Sequence, residues 1–185
     1  MERHSMKLLI ASDLHGSSYF VEKLAQRVEA EQPDKILLLG DLLYHGPRNA
    51  LPEFYDTSAV AKFLNDRKNM LLCVRGNCDT EVDQMVLEFP ILADYCILEL
   101  DGHTLFATHG HRYNRENLPP MGTGEILLHG HTHIPENGTC GEIRILNPGS
   151  VSIPKMGSRN SYMTYENGTF LWKDLDGEVY DTLTL

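Results

Sequence analysis

The chain of 185 residues has no long apolar run. Its apolar pieces, such as residues 8–11 and 36–39, have the length of a strand, whereas a membrane-spanning helix needs about 18 or more apolar residues. The stretch that follows residues 1–5 is also too short for the hydrophobic region of a secretory signal peptide. We therefore expect no membrane association and no signal peptide.

Cysteine is scarce. The chain has four, at positions 73, 78, 96 and 140, and no two of them form a CxxC pair. A disulfide scaffold is therefore not expected. This usage is typical of a reducing compartment, and we expect the protein in the cytoplasm.

Basic residues are outnumbered, with 16 Lys and Arg against 26 Asp and Glu, which gives a formal net charge of −10. The chain has no basic cluster, so binding to long nucleic acid is not expected, because phosphate neutralisation supplies most of that affinity. A small anionic substrate in a locally positive site remains compatible with this balance.

The composition is otherwise ordinary, with 42% hydrophobic and 23% charged residues, as in soluble globular proteins. At about 150 residues per domain, the length favours a single domain, which we place at residues 6–185. Because Met6-Lys7-Leu8 resembles a natural beginning, residues 1–5 are interpreted as an N-terminal extension, disordered or derived from an upstream start or from cloning.

The first half alternates apolar strands with amphipathic helices. The predicted elements are strand 7–12, a helix from Ser17 or Ser18 to Glu31, strand 35–39, helix 57–68 and strand 70–74. Residues 42–55 carry two Gly/Pro breaks and predict a long loop, which in a compact domain is usually functional. The alternation is typical of an α/β fold with a parallel sheet.

The second half carries hairpin signals. Asp101-Gly102, Asn167-Gly168 and Asp176-Gly177 lie between strand-like runs and predict type I′ turns. Residues 126–128 and 143–146 predict two more buried strands. We therefore expect an α/β sandwich of two sheets, mixed and parallel early in the chain and antiparallel late.

Metal-competent side chains follow the apolar strands at the points where the strands end. They are Asp13, His15, Asp41, Asn77, His109, His131 and His133. Because ligands bind at the carboxyl ends of strands in open α/β sheets, we expect these seven side chains to converge. A lone Asp or His is more often a cap or a solvated residue, but the joint pattern, with glycine beside nearly every member, favours a site.

The donor types indicate the chemistry. Seven N and O donors exceed the needs of one four-coordinate ion, and Asp41 could bridge two. Two divalent ions about 3.5–4 Å apart form the usual clamp for displacement at phosphorus. With Asp13, Asp41 and a bridging hydroxide, two such ions leave the pocket net positive, which would attract a phosphate anion.

The motif-bearing segments resemble a known family. They are Asp13-Leu14-His15, Gly40-Asp41, Gly76-Asn77-Cys78-Asp79, His109 and Gly130-His131-Thr132-His133. In this order they resemble the D-x-H, G-D, G-N-x-[DE], H and G-H-x-H blocks of the calcineurin-like metallophosphoesterases. With residues 147–151, the likeness extends over most of the chain. Within that family the chain is similar to the small bacterial YfcE-type phosphodiesterases, whose Gly-Pro-Arg-Asn and Gly-Asn-Cys-Asp segments match residues 46–49 and 76–79.

The resemblance implies a four-layer α/β/β/α sandwich of two mixed sheets and a di-metal phosphodiesterase that cleaves a small phosphodiester by a metal-bridging hydroxide. By position, the first ion would be held by Asp13, His15, Asp41 and His133. The second would be held by Asp41, Asn77, His109 and His131. The family favours Mn²⁺, while the O/N donor set also admits Zn²⁺, Fe²⁺, Ni²⁺ and Co²⁺.

Cys78 departs from the family pattern, since many members have a histidine there that protonates the leaving group or contacts the phosphate. The thiol could donate a proton, or it could be a small residue that fills space beside the site. Both interpretations remain open. The predicted catalytic residues are thus Asp41, Asn77 and Cys78.

Other candidates lie nearby. Arg48 and His45, in the long loop, are predicted to contact the substrate phosphate, although a solvated loop is the simpler interpretation of His45. His111 and His129 could support the ligands, and residues 147–150 are interpreted as a structural turn below the ions.

Two alternative functions remain. A catalytically weak scaffold or protein-interaction module can use the same fold, as a retromer subunit does, but the intact ligand set argues against it. A nuclease or protein phosphatase is disfavoured by the acidic balance and by the absence of an added capping domain. The expected partner is a small phosphodiester, with no membrane and no long nucleic acid, and a homo-oligomer is compatible with the family.

Overall fold

The structure, a computed structural model, describes residues 6–185. The extension expected at residues 1–5 lies outside the described residues. The elements, in chain order, are β1 (Leu8–Ala11), α1 (Ser18–Glu31), β2 (Lys35–Leu38), α2 (Thr57–Asn65), β3 (Leu71–Cys73), α3 (Glu81–Gln84), β4 (Tyr95–Leu100), β5 (His103–Thr108), β6 (Ile126–Leu128), β7 (Glu136–Cys140), β8 (Ile143–Asn147), β9 (Ser161–Glu166), β10 (Thr169–Asp174) and β11 (Val179–Thr184). Within this range no helix has both the length and the apolar character to cross a membrane.

Two mixed sheets form the sandwich. The first has the order β11-β10-β9-β1-β2-β3, with β1, β2 and β3 parallel and β9, β10 and β11 antiparallel. The second has the order β4-β5-β6-β8-β7, with β5, β6 and β8 parallel between antiparallel edge strands. The fold class is confirmed as α/β with two mixed sheets.

The expected antiparallel character of the second half is wrong for β5, β6 and β8. Parallel strands need a connection of about a dozen residues or more. Residues 109–125 and 129–142 supply such connections. The sequence signals of hairpins mark only the tight turns, so they could not reveal these crossovers.

The apolar side chains separate into three layers of core. Helices α1 and α2 cover the outer face of the first sheet, where Leu24 and Val60 pack against Leu9 and Leu38. The second core lies between the sheets. The third lies on the outer face of the second sheet. It consists of the buried Phe106, Leu127 and Ile145 and the partly buried Tyr113, Leu118, Met121, Cys140 and Ile143. The family resemblance predicts helices in this outermost layer. Within the described residues the segment 109–125, which supplies Tyr113, Leu118 and Met121, contains no helix.

The helices begin where the sequence predicts and end for local reasons. The side chain of Ser17 accepts a hydrogen bond from the Phe20 backbone N–H at 3.4 Å, and α1 ends at Gln32, which has a φ of 50°. Helix α2 is shorter than the predicted 57–68, because it ends at Asn65 and a 3-10 turn (Lys68–Met70) follows. Residues 42–55 contain no helix or strand, so the predicted long loop is confirmed.

Two of the three predicted hairpin turns are confirmed. Asp101-Gly102 and Asn167-Gly168 have positive φ at both residues, as a type I′ turn requires. At Asp176-Gly177 the prediction is wrong, because only Gly177 has a positive φ and four residues, 175–178, connect β10 to β11.

The end of α1 is fixed to the first sheet by one carboxylate. Glu31 accepts hydrogen bonds from Tyr162 Oη at 2.9 Å and Lys173 Nζ at 2.6 Å, and Lys7 Nζ lies 3.1 Å away. Burial would raise the pKa of Glu31, but the contacts with Lys173, Lys7 and Tyr162 outweigh it and lower the pKa. The ionised form of Glu31 therefore stabilises the folded state.

We expect Glu31→Gln to lower the free energy of unfolding by about 1–2 kcal/mol at pH 7, because charged hydrogen bonds become neutral ones. A carboxyl group with a lowered folded pKa stabilises above its unfolded pKa, near 4.5, and loses this contribution as the pH falls through its folded pKa. Urea unfolding should therefore show the largest gap between variant and parent at pH 7 and a shrinking gap below about pH 4.5. Glu166→Gln is the control, since Glu166 is about half exposed (49%) and lies 3.9 Å from Lys7. A gap of equal size at pH 3 and pH 7 would contradict this account.

Candidate metal centre

The parallel strands of both sheets place the predicted ligands at one edge of the sandwich. Asp13 and His15 follow β1, Asp41 follows β2, Asn77 follows β3, His109 follows β5, and His131 and His133 follow β6. Three overlapping groups form there. Asp13, His15 and His133, the first group, have ligand atoms within 4.8 Å of one another, as do Asp41, His109 and His131, the second group. His15, Asp41 and Cys78 form a third group that connects these two.

The first group converges on a buried oxygen. Asp13 Oδ1 lies 3.2 Å from His133 Nε2 and 3.6 Å from His15 Nε2, and it accepts no hydrogen bond of good geometry. The other oxygen, Oδ2, accepts from Ser12 Oγ at 2.6 Å and from the His131 N–H at 3.0 Å. A buried carboxylate oxygen without a hydrogen-bond donor is costly unless a cation neutralises it.

Asp41 of the second group lies close to the first group. Asp41 Oδ2 lies 3.5 Å from His109 Nε2 and 3.7 Å from His15 Nε2, so it stands between the two groups. His109 Nε2 is 3.1 Å from Asn77 Oδ1 and 3.2 Å from His131 Nδ1. Asn77 thus belongs to this group by its amide oxygen.

Backbone carbonyls orient three of the imidazoles. Nδ1 of His15, His109 and His133 lies 2.8, 2.6 and 2.6 Å from the carbonyl oxygens of Tyr44, Leu39 and Ile153, respectively. A ring that donates its Nδ1–H in this way presents the Nε2 lone pair to the centre, which is the arrangement that metal-ligating histidines use.

The contacts between imidazoles provide a test of whether a cation fits. Nε2 of His15 and Nε2 of His133 are only 3.2 Å apart, and with both Nδ1 atoms protonated neither Nε2 carries a proton to donate. Two lone pairs at this distance repel each other unless a cation lies between them. The donors are O and N atoms of types suited to divalent first-row metals, so the residues fit such an ion.

The backbone is strained at the same positions. A non-glycine residue with φ near +60° is uncommon, and such strain concentrates at functional sites. Five of the seven predicted ligands have this conformation: Asp13 (57°), His15 (46°), Asp41 (55°), His131 (66°) and His133 (61°). The loops after the strands are therefore shaped for ligand placement at a cost in local stability.

The charges of the site shift its pKa values in opposite directions. Burial would lower the pKa of His109, but its contact with Asp41 and the charges of Asp13 and Asp41 raise it to about 9. Burial and the neighbouring His109 lower the pKa of His131 to about 4. Burial would raise the pKa of Asp13, but His133 and His15 hold it well below its usual range. Both carboxylates are therefore ionised at neutral pH, as ligands must be.

The model of the calcineurin-like phosphoesterase superfamily domain matches residues 6–169 of this chain. The chain belongs to this superfamily. Its members use divalent metals, in agreement with the donor set. The resemblance of the motif segments to this superfamily is confirmed.

Calcineurin-like phosphoesterases from bacteria are similar over most of the chain. Phosphodiesterase YfcE of Escherichia coli strain K12 is 48% identical over 162 residues, which cover 88% of both chains. A probable metallophosphoesterase, YsnB of Bacillus subtilis, is 27% identical over 175 residues, covering 88% of this chain and 86% of its own. The solved structure of the E. coli YfcE phosphoesterase has a TM-score of 0.93 at 43% identity, over 97% of this chain and 99% of its own.

A likeness of the fold alone extends further. The structure of Vacuolar Protein Sorting 29 from Cryptosporidium parvum has a TM-score of 0.63 at 15% identity, over 98% of this chain and all of its own. The calcineurin-like fold of this chain is therefore shared with proteins of very different sequence.

A cavity of about 410 Å³ opens beside the groups of candidate ligands. It is lined by Asp41, Gly46, Pro47, Arg48, Asn49, Asn77, Cys78, His131, Thr132, His133 and Lys155. Arg48 and Cys78 are thus at the cavity, whereas His45 does not line it and packs its ring between those of Tyr44 and Tyr55, at 4.8 and 5.4 Å. Sequence reasoning missed Lys155, which belongs to no motif and lies far from the ligands along the chain.

The turn at residues 147–150 supports the ligands, as the sequence predicts. Asn147 Nδ2 donates to the Gly130 carbonyl at 2.9 Å and to Thr132 Oγ1 at 3.1 Å, on both sides of His131. Ser150 Oγ donates to the Asp13 carbonyl at 2.9 Å. His129 is buried beside them, with Nδ1 3.0 Å from the Gly130 carbonyl.

Close contacts with the carboxylates of the site explain why residues 76 and 130 are glycine. A Cβ at Gly76 would lie 2.1 Å from Asp41 Oδ1, and one at Gly130 would lie 1.9 Å from Ser12 Oγ and 2.8 Å from Asp13 Oδ2. Any side chain at these positions would therefore displace a carboxylate.

Asp79 belongs to the Gly76–Asp79 motif segment, and the motif alone does not indicate its role. Its buried carboxylate accepts three backbone hydrogen bonds, from Gly76 at 2.7 Å, Asp41 at 2.8 Å and Leu42 at 2.9 Å. Asp79 therefore fixes the loop that carries Asp41 to the loop that carries Asn77.

We expect Asp79→Asn to weaken metal binding about 10–100-fold, since residues that orient ligands have effects of this size. An amide has only one acceptor oxygen for three N–H donors, so the free energy of unfolding should also fall by about 1–3 kcal/mol. Both are measured with Mn²⁺, by calorimetric titration and by urea unfolding. Glu81→Gln is the control, because the side chain of Glu81 is 75% exposed. An unchanged Mn²⁺ affinity in Asp79→Asn would refute the positioning role.

Proposed function

We propose that this chain is a phosphodiesterase that holds two divalent ions and hydrolyses a small phosphodiester. The observation that carries the proposal is the pair of ligand groups joined at Asp41 Oδ2, beneath an open cavity. Membership of the calcineurin-like superfamily and the 48% identity to Phosphodiesterase YfcE support it.

The first ion would be held by Asp13, His15, Asp41 and His133. The second would be held by Asp41, Asn77, His109 and His131. The proposal for these two sets is supported by the distances within each group and by the fixed tautomers of His15, His109 and His133. Mn²⁺ is the proposed metal, and the same donors suit Zn²⁺, Fe²⁺, Ni²⁺ or Co²⁺.

Bound divalent ions supply Lewis acidity to phosphoryl oxygens and make hydroxide available near neutral pH. The chain itself contributes orientation and charge. Asp41 would contribute to both sites. The exposed Asn77 turns its Oδ1 to His109, and one of its two amide N–H groups donates to Cys78 Sγ. The other N–H would donate to a phosphoryl oxygen. Arg48 would contact a phosphate group of the substrate from the cavity wall. His45 could reach the substrate only if its ring left the position between Tyr44 and Tyr55.

Cys78 would stand close to the leaving group, since it lines the cavity and its Sγ lies 3.3 Å from Asn77 Nδ2. Burial, together with the charge of Asp41, raises the pKa of the thiol. We propose that it remains a thiol and serves chiefly to fill space, so that leaving-group protonation contributes little.

The setting proposed for this activity is a single domain, residues 6–185, in the cytoplasm. Its four cysteines are free thiols, as a reducing compartment favours. A homo-oligomer is compatible with this function. The alternative, a scaffold on the same fold, has the likeness to Vacuolar Protein Sorting 29 in its favour, but a scaffold does not require strained, tautomer-fixed ligands.

The metal proposal has a direct test. The purified protein should contain two divalent ions per chain by elemental analysis, and dialysis against EDTA should abolish hydrolysis of bis(4-nitrophenyl) phosphate, which Mn²⁺ should restore. His133→Ala should lose at least one ion. His103→Ala, at the start of β5, is the matched control and should keep both. Full turnover in excess EDTA after dialysis would exclude a metal-dependent reaction.

The role of Cys78 is tested by the leaving group. Proton donation is typically worth about 10²–10⁴-fold and matters most for poor leaving groups. We therefore expect nitrophenyl diesters to be cleaved far faster than alkyl diesters. Cys78→Ala should barely change the nitrophenyl rate, and Cys78→His should raise the rate on poor leaving groups.

The measurement is a plot of log kcat/KM against the pKa of the leaving group for the parent and both variants. Cys140→Ala, a free cysteine on β7, is the control. A shallow slope in the parent that steepens in Cys78→Ala would show that the thiol donates a proton after all.

A further inference from the structure

Nearly all the cationic side chains of the described residues are already paired. Lysines and arginines contact acidic side chains or backbone carbonyls throughout residues 6–185. In this range only Arg48, Arg144 and Lys155 make no ion pair or hydrogen bond through their charged groups. Two of these three, Arg48 and Lys155, line the cavity above the metal groups.

The loop that carries Lys155 is fixed to a metal ligand. The Lys155 N–H donates to the His133 carbonyl at 3.2 Å, and His133 Nδ1 lies 2.6 Å from the Ile153 carbonyl. Ser158 closes the loop, with its N–H and Oγ donating to the Lys155 carbonyl at 3.0 and 2.7 Å. The Lys155 backbone therefore cannot move independently of His133.

The loop that carries Arg48 is fixed to another ligand of the same group. His15 Nδ1 lies 2.8 Å from the Tyr44 carbonyl, and Asn49 Nδ2 donates to the His45 carbonyl at 2.8 Å, across the residues that precede Arg48. Because Nε2 of His15 and Nε2 of His133 are 3.2 Å apart, the two loops that carry Arg48 and Lys155 are anchored to adjacent residues of the first group.

The charge of the proposed centre leaves these two cations without a role in binding one diester. Two divalent ions with Asp13, Asp41 and one hydroxide leave a single positive charge, which a singly charged diester neutralises. Two further cations without partners, on a chain of net charge −10, are suited to additional negative charge. A guanidinium also matches the geometry of a phosphate group.

We propose that Arg48 and Lys155 form a second anion subsite, and that the substrate is a phosphodiester that carries a further phosphate group. The inference rests on the proposed function, since it places the scissile diester at the metal ions. The cavity of about 410 Å³ has the size of a small-molecule site, and Asn49 and Thr132 add neutral polar groups to its wall. The subsite would select the substrate, while the metal centre would cleave it.

Binding provides a test that needs no knowledge of the rest of the substrate. Calorimetric titration of the Mn²⁺-loaded protein with inorganic phosphate and with inorganic pyrophosphate gives a ratio of the two affinities. This ratio should fall about tenfold or more in the double variant Arg48→Gln/Lys155→Gln, because charge-assisted hydrogen bonds to the second phosphate are lost. Arg144→Gln, which removes the third cation without a partner but not one at the cavity, should keep the ratio of the parent. An unchanged ratio in the double variant would overturn the subsite.

Turnover gives the second arm. Thymidine 5′-(4-nitrophenyl phosphate) and its 3′-phosphorylated form share the scissile bond and differ by one phosphate. We expect the ratio of their kcat/KM values to favour the 3′-phosphorylated form and to fall towards one in the double variant, with Arg144→Gln again as control.

The two arms separate the two proposals. A pyrophosphate preference that depends on both cations, in a protein that cleaves no diester, would support the subsite and overturn the proposed function. If the protein cleaves diesters but neither the affinity ratio nor the kcat/KM ratio changes in the double variant, the proposed function is supported and the subsite is overturned.

Discussion

The structure depends on one electrostatic constraint, which is that lone pairs of buried ligands point at one another. Asp13 and Asp41 are 0% and 2% exposed, and the imidazoles beside them have their Nδ1 protons turned outward to carbonyls. Without a metal ion, protons on the imidazoles must offset this repulsion, and the pKa of His109 is accordingly raised to about 9. Since such a site is absent from the unfolded chain, the free energy of metal binding is also free energy of folding. The loops can be strained because the ions would compensate.

The strain is held in place by hydrogen bonds between loops and not by helices or strands. Asp79 accepts from the backbone around Asp41, while Asn147 and Ser150 hold the backbone around His131 and Asp13. Each of these side chains joins two loops that are distant in sequence. These hydrogen bonds fix a candidate site that is built largely from irregular backbone, as a catalytic geometry would require.

Local signals in the sequence predicted much of this. Apolar runs gave the strands β1, β2, β3 and β6, the Ser17 cap gave the start of α1, and the strand ends gave the seven side chains that converge. The parallel order of β5, β6 and β8 could not be predicted in this way, because their long connections have no turn chemistry that fixes direction. Asp79 and Lys155 were missed for a related reason. An acceptor for three N–H groups and a cation without a partner are defined by neighbours far away in the chain, which residue types alone do not reveal.

The outermost residues of the site behave differently from its ligands. Five of the seven predicted ligands are buried, whereas Arg48 and Lys155 are exposed and make no ion pair or hydrogen bond through their charged groups within the described chain. The Lys155 N–H donates to the His133 carbonyl, and the loop that carries Arg48 contacts His15 through the Tyr44 carbonyl. A change of side chain at these two positions would alter the charge of the cavity without disturbing a ligand. On the proposed function, the architecture separates the chemistry, which would need every buried neighbour in place, from substrate selection, which would depend on two exposed side chains at the wall of the cavity.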